Sequence, residues 1–425
     1  HNTAIGVYAL EDYEDGDGNG FNTAIGSQSQ AQATTGEFNT SLGALSMGAG
    51  VTTGDNNVAA GYQALENVTS GSSNIMMGAF AGHGLIAGAS NVGIGHGALQ
   101  VEDNNGSNVA VGHLALSTLN AGTDGYNVAM GFQAARLVST GVQNVIIGGF
   151  AGDAITTATS NVAIGYEALS TEDTMGTAVA IGYRALKTQN SASAAYNVAV
   201  GYDAGKAVTT GQGNVLVGGL AGDAINSGSG NVCIGNQAGS AISTASENVV
   251  IGQYAGDALT IGTSNVAVGT EALSTSVDGD HNTAIGYKAL EDYEDGDGNG
   301  HNTAVGSISQ LNASTGEFNT SLGSRSMGVG LTTGDDNVAV GYQAGLALTG
   351  GFRNILIGVN SGDALTTGTK NIAIGYDALG TEDTHGFNVA IGSSALATLN
   401  AGADAHNVAI GNAAGYAMST GTHNT

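Results

Sequence analysis

The sequence predicts an all-β fold, a parallel β-solenoid or β-roll of stacked, mostly 17-residue coils. Three observations carry this. A five-residue motif, Asn then a small or β-branched residue, then Ala, Ile or Val, and Gly, returns along the whole chain. It keeps a nearly constant spacing, which is the signature of a repeat architecture. The composition also lacks what a conventional core needs: of 425 residues 72 are Gly, none is Trp or Pro, and aromatics make up 5%.

The motif reads as one short strand. In Asn161-Val162-Ala163-Ile164-Gly165 the residues alternate, so Val162 and Ile164 share one face and Ala163 and Gly165 the other. The closing Gly permits a bend or a close backbone approach. A second short segment follows, as in Tyr62-Gln63-Ala64-Leu65 and Tyr376-Asp377-Ala378-Leu379. A polar turn then closes the coil, often Thr-Thr-Gly, as at Thr52-Thr53-Gly54, Thr209-Thr210-Gly211 and Thr366-Thr367-Gly368.

The anchor Asn recurs most often at a 17-residue spacing, as from Asn57 to Asn74 to Asn91, and longer coils run to 18, 19 or 20. One coil has Ala178 in the Asn place. Equivalent residues are expected to stack as parallel ladders, with the Asn residues at a corner, bonding to one another and to backbone and tolerating left-handed geometry. At about 4.8 Å per coil the chain would extend roughly 115 Å. No 3.6-residue apolar stripe supports a helical alternative.

A longer period lies above the coil. Asn2, Asn22, Asn108 and Asn144 return as Asn282, Asn302, Asn388 and Asn424, the number rising by 280 each time. Residues 1–281 thus read as a sixteen-coil superunit and 282–425 as a partial second copy, with no separate globular domain. The chain starts and ends on the same repeat point, His-Asn-Thr, as expected of a window on a longer repetitive chain.

Two packings are open for the strand faces. Either Val and Ile point into the coil while Ala and Gly face outward, or the Ala/Gly face is buried where chains meet. Ile146 and Leu216 occupy the usually small position. If that face is outward, such residues favour self-association.

Asn-Val-Ala-Ile-Gly-Tyr-x-Ala-Leu resembles the head repeats of trimeric autotransporter adhesins of the YadA type, and repeat-rich phage or bacterial fibre proteins. The resemblance covers essentially the whole chain. It implies a left-handed roll in a homotrimer that projects from a cell or virion, with Val162, Ala163, Ile164 and Gly165 as packing residues. The 17-residue coil is longer than the common adhesin repeat, and no stalk, neck, anchor or chaperone domain is visible.

Charge excludes some functions. There are 35 Asp and Glu against 8 Lys and Arg, a net of −27, which repels nucleic acid and anionic membranes. No run is long enough to span a membrane. Acidic residues lie mostly in recurring turns, whereas catalysis needs one singular constellation, so no enzyme activity is expected. The Thr-Thr-Gly turns are interrupted, which leaves an ice-binding row, like a calcium-dependent adhesin segment, as a lesser alternative. The lone Cys233 reads as core filling.

The sharpest local feature is the 20-residue coil. Asp15, Asp17 and Asn19, followed by Gly20, match the first half of an EF-hand loop, and Asp295, Asp297 and Asn299 repeat it. A calcium ion is one reading, with Glu11, Asp12 or Glu14 supplying further oxygens. A solvated acidic loop that blunts lateral aggregation is the other, since the twelfth position is Gly26. Every 19-residue and 20-residue coil also ends in an aromatic residue or His: Phe21, Tyr126, Tyr196, His301 and His406. These are expected to cover a gap at the corner, or, if exposed, to form a carbohydrate-stacking row. The expected role is a structural segment of an extracellular filament or adhesive fibre. A phage tail-fibre shaft is the alternative. Partners would be further copies of the chain and a cell-surface glycan or protein receptor.

Overall fold

Alternation in the motif gives three-residue strands because the flanking Asn and Gly both turn the chain. A computed structural model describes residues 1–14, 20–174, 176–293, 300–328 and 330–425. The chain forms two units, His1–Gly213 and Asn214–Thr425. The first carries strands β1 (Thr3–Ile5) to β12 (Val198–Val200), the second β13 (Val215–Val217) to β24 (Val408–Ile410), each three residues long. Within each unit successive strands pair in parallel and in register, for example Val162 with Val145, Ala163 with Ile146 and Ile164 with Ile147. Among the described residues there is no helix, and none long and apolar enough to cross a membrane. The fold is the predicted parallel β-solenoid.

Coil length does not disturb the register. Thr3 pairs with Thr23 and Thr283 with Thr303 across 20-residue coils, and Val109 with Val128 across a 19-residue coil. Extra residues are accommodated between the strands.

The anchor Asn closes each coil and joins it to the next. Asn57 is fully buried. Its Nδ2 donates to Gly71 O of its own coil at 2.8 Å and to Asn39 Oδ1 of the preceding one at 3.1 Å. Its Oδ1 accepts the backbone N–H of Asn74 at 3.0 Å. The side chain thus satisfies the corner's backbone groups without water. The left-handed residue is the one before the Asn, such as Gln143 (φ 60°) and Ser160 (φ 60°), rather than the Asn itself. Where Ala178 replaces Asn, the buried Gln189 reaches across. Its Oε1 accepts from Asn197 Nδ2 at 2.9 Å, and its Nε2 donates to Glu172 Oε2 at 2.9 Å.

At the far end of the strand, Gly61 holds φ +143°, and a Cβ there would lie 2.6 Å from Gly78 O of the next coil. Both the backbone angle and the close approach require glycine.

The middle residue of each strand fills the coil interior. Ala163 and Leu216 are fully buried and Ile146 nearly so, whereas Val162 and Ile164 on either side are half-exposed. The first of the two packings expected above, with Val and Ile inward, is therefore reversed. The reason is space: the lumen also takes the Ala-Leu pair of the second segment, as Ala168 and Leu169. Large middle residues are matched by a loss of volume at the sixth position after them. Met76, Ile146, Leu216, Cys233, Val250 and Leu356 face Gly82, Gly152, Gly222, Gly239, Gly256 and Gly362. A Cβ on Gly362 would lie 2.8 Å from Leu356 Cδ2. In many coils with a middle Ala, as Ala373, a leucine, Leu379, fills the same point, and in others, as Ala199 and Ala339, that point is also Gly, at 205 and 345. Ile146 and Leu216 are thus buried inside their own coils and need no second chain.

Candidate functional site

The outward residues of the strands make the most regular surface. Val145 and Ile147, Val162 and Ile164, and Val179 and Ile181 stack in the first unit, each half-exposed. In the second unit Ile355 and Ile357 are 38% and 37% exposed and flank the fully buried Leu356. Parallel pairing places these residues in two columns. An ordered apolar sheet face of this kind is unusual on a surface that meets only water.

A second exposed column runs through the first unit. Tyr62, Phe80, His96, His113, Phe132, Phe150, Tyr166, Tyr183 and Tyr202 follow one another coil by coil, with ring centroids 5.1–6.0 Å apart. Most of these rings sit directly after the corner Gly. Phe80 and Phe150 sit one place later, because Ala79 and Gly149 hold that position. There stacking becomes edge-to-face: Tyr62 and Phe80 lie at 90°, Phe150 and Tyr166 at 85°. Sequence reading missed this column because its members alternate among Tyr, Phe and His.

The rings before the anchor Asn of the 19-residue and 20-residue coils stand at the surface. Phe21, Tyr126, Tyr196, His301 and His406 are exposed, with φ between 48° and 51°. The same left-handed geometry occurs there in 17-residue coils, as at Gln143 and Ser160. Phe21 stacks on Phe38 at 5.3 Å, and His281 on His301 at 4.7 Å.

Three buried glutamates were also missed. Glu102, Glu172 and Glu382 share one point in their coils, each preceding a 19-residue coil. Glu382 accepts the N–H of its own loop's His385 at 3.1 Å and of Ala401 in the longer coil at 3.2 Å. Glu102 accepts the N–H and side-chain amide of Asn105 at 3.3 and 3.1 Å. These carboxylates supply acceptors where longer coils break the ladder. Burial raises the pKa of Glu102, partly offset by the Asn105 bonds.

The donor atoms of Glu382, Asp383 and His385 lie within 4.8 Å of one another. His385 Nδ1 is 3.2 Å from Glu382 Oε1 and 3.1 Å from Thr384 Oγ1. This is the mixed nitrogen–oxygen donor set a transition metal accepts. The corresponding loop one superunit earlier carries Asn105 in place of His385 and keeps the Glu contact, so hydrogen bonding alone accounts for the arrangement. The calcium candidates Asp15, Asp17, Asn19, Asp295, Asp297 and Asn299 lie outside the described residues. Their neighbours Glu11, Asp12 and Glu14 are exposed. Cys233 is buried, and burial pushes its thiol up to about 12.

Comparison with models of known protein families gives no match, and comparison with curated proteins gives none.

Proposed function

We propose that the chain is a structural segment of an extracellular filament or adhesive fibre, assembled from three parallel copies through their Val/Ile faces. The observation that carries this is the outward apolar sheet face, in which two side chains per coil stand half-exposed in register. Burying such side chains contributes roughly 25 cal/mol per Å². Repeated on most coils, with Thr at the first outward position in others such as Thr23 and Thr303, that term favours lengthwise association over any single strong contact. A second copy in register fits the face because its spacing is the same coil by coil. The contact surface is therefore the Val/Ile face, while the Ala face is the interior of each coil. The net charge of −27 limits further lateral bundling. Repeating coils give reach and stiffness.

Electron microscopy of the producing cells or particles, with gold-labelled antibody raised against the chain, tests the role. Label distributed along surface filaments supports it. Label confined to the cell interior, with unlabelled filaments, overturns it.

A further inference from the structure

The first unit carries a side-chain cleft that neither the coil repeat nor the apolar face explains. Its volume is about 360 Å³, and Phe150, Asp153, Tyr166, Glu167, Thr171 and Lys187 line it. That lies within the roughly 300–1,000 Å³ typical of small-ligand sites. The cleft opens where the aromatic column shifts. Because Gly149 follows Gly148, the ring moves one place on to Phe150 and meets Tyr166 edge-on, at 85° and 6.0 Å. On its other side Tyr166 stacks flat against Tyr183, at 13° and 5.6 Å. Tyr166 stays 44% exposed.

The polar groups are of both kinds. Lys187 Nζ and Glu167 Oε2 form an ion pair between neighbouring coils. Asp153 is half-buried in the lining, and burial raises its pKa. The region is also nearly balanced in charge within a chain of net −27. Residues 127–213 hold four of the eight Lys and Arg, at 136, 184, 187 and 206, against five acids.

We infer that this cleft binds a pyranose ring of a glycan, with the Phe150 and Tyr166 rings against its apolar C–H face and Asp153, Glu167 and Lys187 on its hydroxyls. A sugar ring offers apolar C–H groups and, around its edge, hydroxyls that both donate and accept. Aromatic walls with carboxylates and an ammonium match both. A purely apolar ligand would strand the ion pair, and a strongly anionic one would meet Glu167 and Asp153. The inference concerns a ligand of one unit and does not require the filament assembly.

The test is saturation-transfer NMR on the full chain with methyl glycosides of glucose, galactose, mannose, N-acetylglucosamine and glucuronate. At least one is expected to bind in the millimolar range. Tyr166→Ala weakens it tenfold or more, whereas Tyr376→Ala, at the same coil position in the second unit, leaves it unchanged. Circular dichroism confirms that both variants keep their strands. Transfer to none of the sugars overturns the inference, and so does binding that survives Tyr166→Ala.

Discussion

Leu356 and Gly362 give the sharpest test of how the coils are filled. Leu356 is fully buried, and the three atoms nearest a Cβ built on Gly362 all belong to it. Leu356→Ala removes about three carbon groups, a transfer loss of about 2.4 kcal/mol at about 0.8 kcal/mol each. The cavity adds to this, for a total of about 3–4 kcal/mol. Gly362→Leu alone drives a side chain into Leu356 and costs about 1–3 kcal/mol by overpacking. The double variant recreates the coil that follows, where Ala373 faces Leu379. The backbone already suits it, since Gly362 and Leu379 both have φ +55°. It is expected within about 1 kcal/mol of wild type, a strong favourable coupling between the two changes. Native-state hydrogen exchange at the amides of Ile355–Ile357 reads the local stability. Leu356→Ala should speed exchange by about 150-fold or more, at about 1.4 kcal/mol per decade, and the double variant should restore most of it. A double variant no more protected than the sum of the single changes would refute the volume exchange.

Three further predictions concern the polar interior. Gln189→Ala removes two buried hydrogen bonds, to Asn197 and Glu172, and should cost about 2–4 kcal/mol in exchange protection. Adding Ala178→Asn should recover part of it by restoring the anchor, and no recovery would contradict the substitution of Gln189 for the missing Asn. The folded pKa of Glu102 is raised by burial, so the stability its protonated form contributes is full below the unfolded pKa and lost as pH rises through the folded one. Wild type should therefore gain melting temperature relative to Glu102→Gln as pH falls from 7 toward 4, and the opposite trend would contradict the assignment. Cys233, with its pKa near 12, should react with a thiol reagent at pH 8 about a thousandfold more slowly than in denaturant, and equal rates would show an open coil.

The period, the strands and their register were legible in the sequence because each coil repeats one motif and a ladder punishes any slip. The direction of the faces was not. In a three-residue strand, alternation separates Val162 and Ile164 from Ala163 without saying which side is inside. The pairing of Leu356 with Gly362 settles it, and that pattern is present in the sequence as a large middle residue followed six places later by Gly. The roles of Glu102, Glu172 and Glu382 were hidden because Glu-Asp in a polar turn reads as solvated surface. Their position before every 19-residue coil was the available signal. The aromatic column escaped because Phe80 and Phe150 are displaced by one place, so a search at fixed offset breaks there.

On the proposed function, the working form is three chains packed through the apolar Val/Ile face of their strands. Mass per unit length of the intact filament, from scanning transmission electron microscopy, tests it most directly. Stacked coils rise about 4.8 Å each, so the mass of three coils per rise is expected. The mass of one coil per rise would mean that the Val/Ile columns stand open to water, and would contradict it.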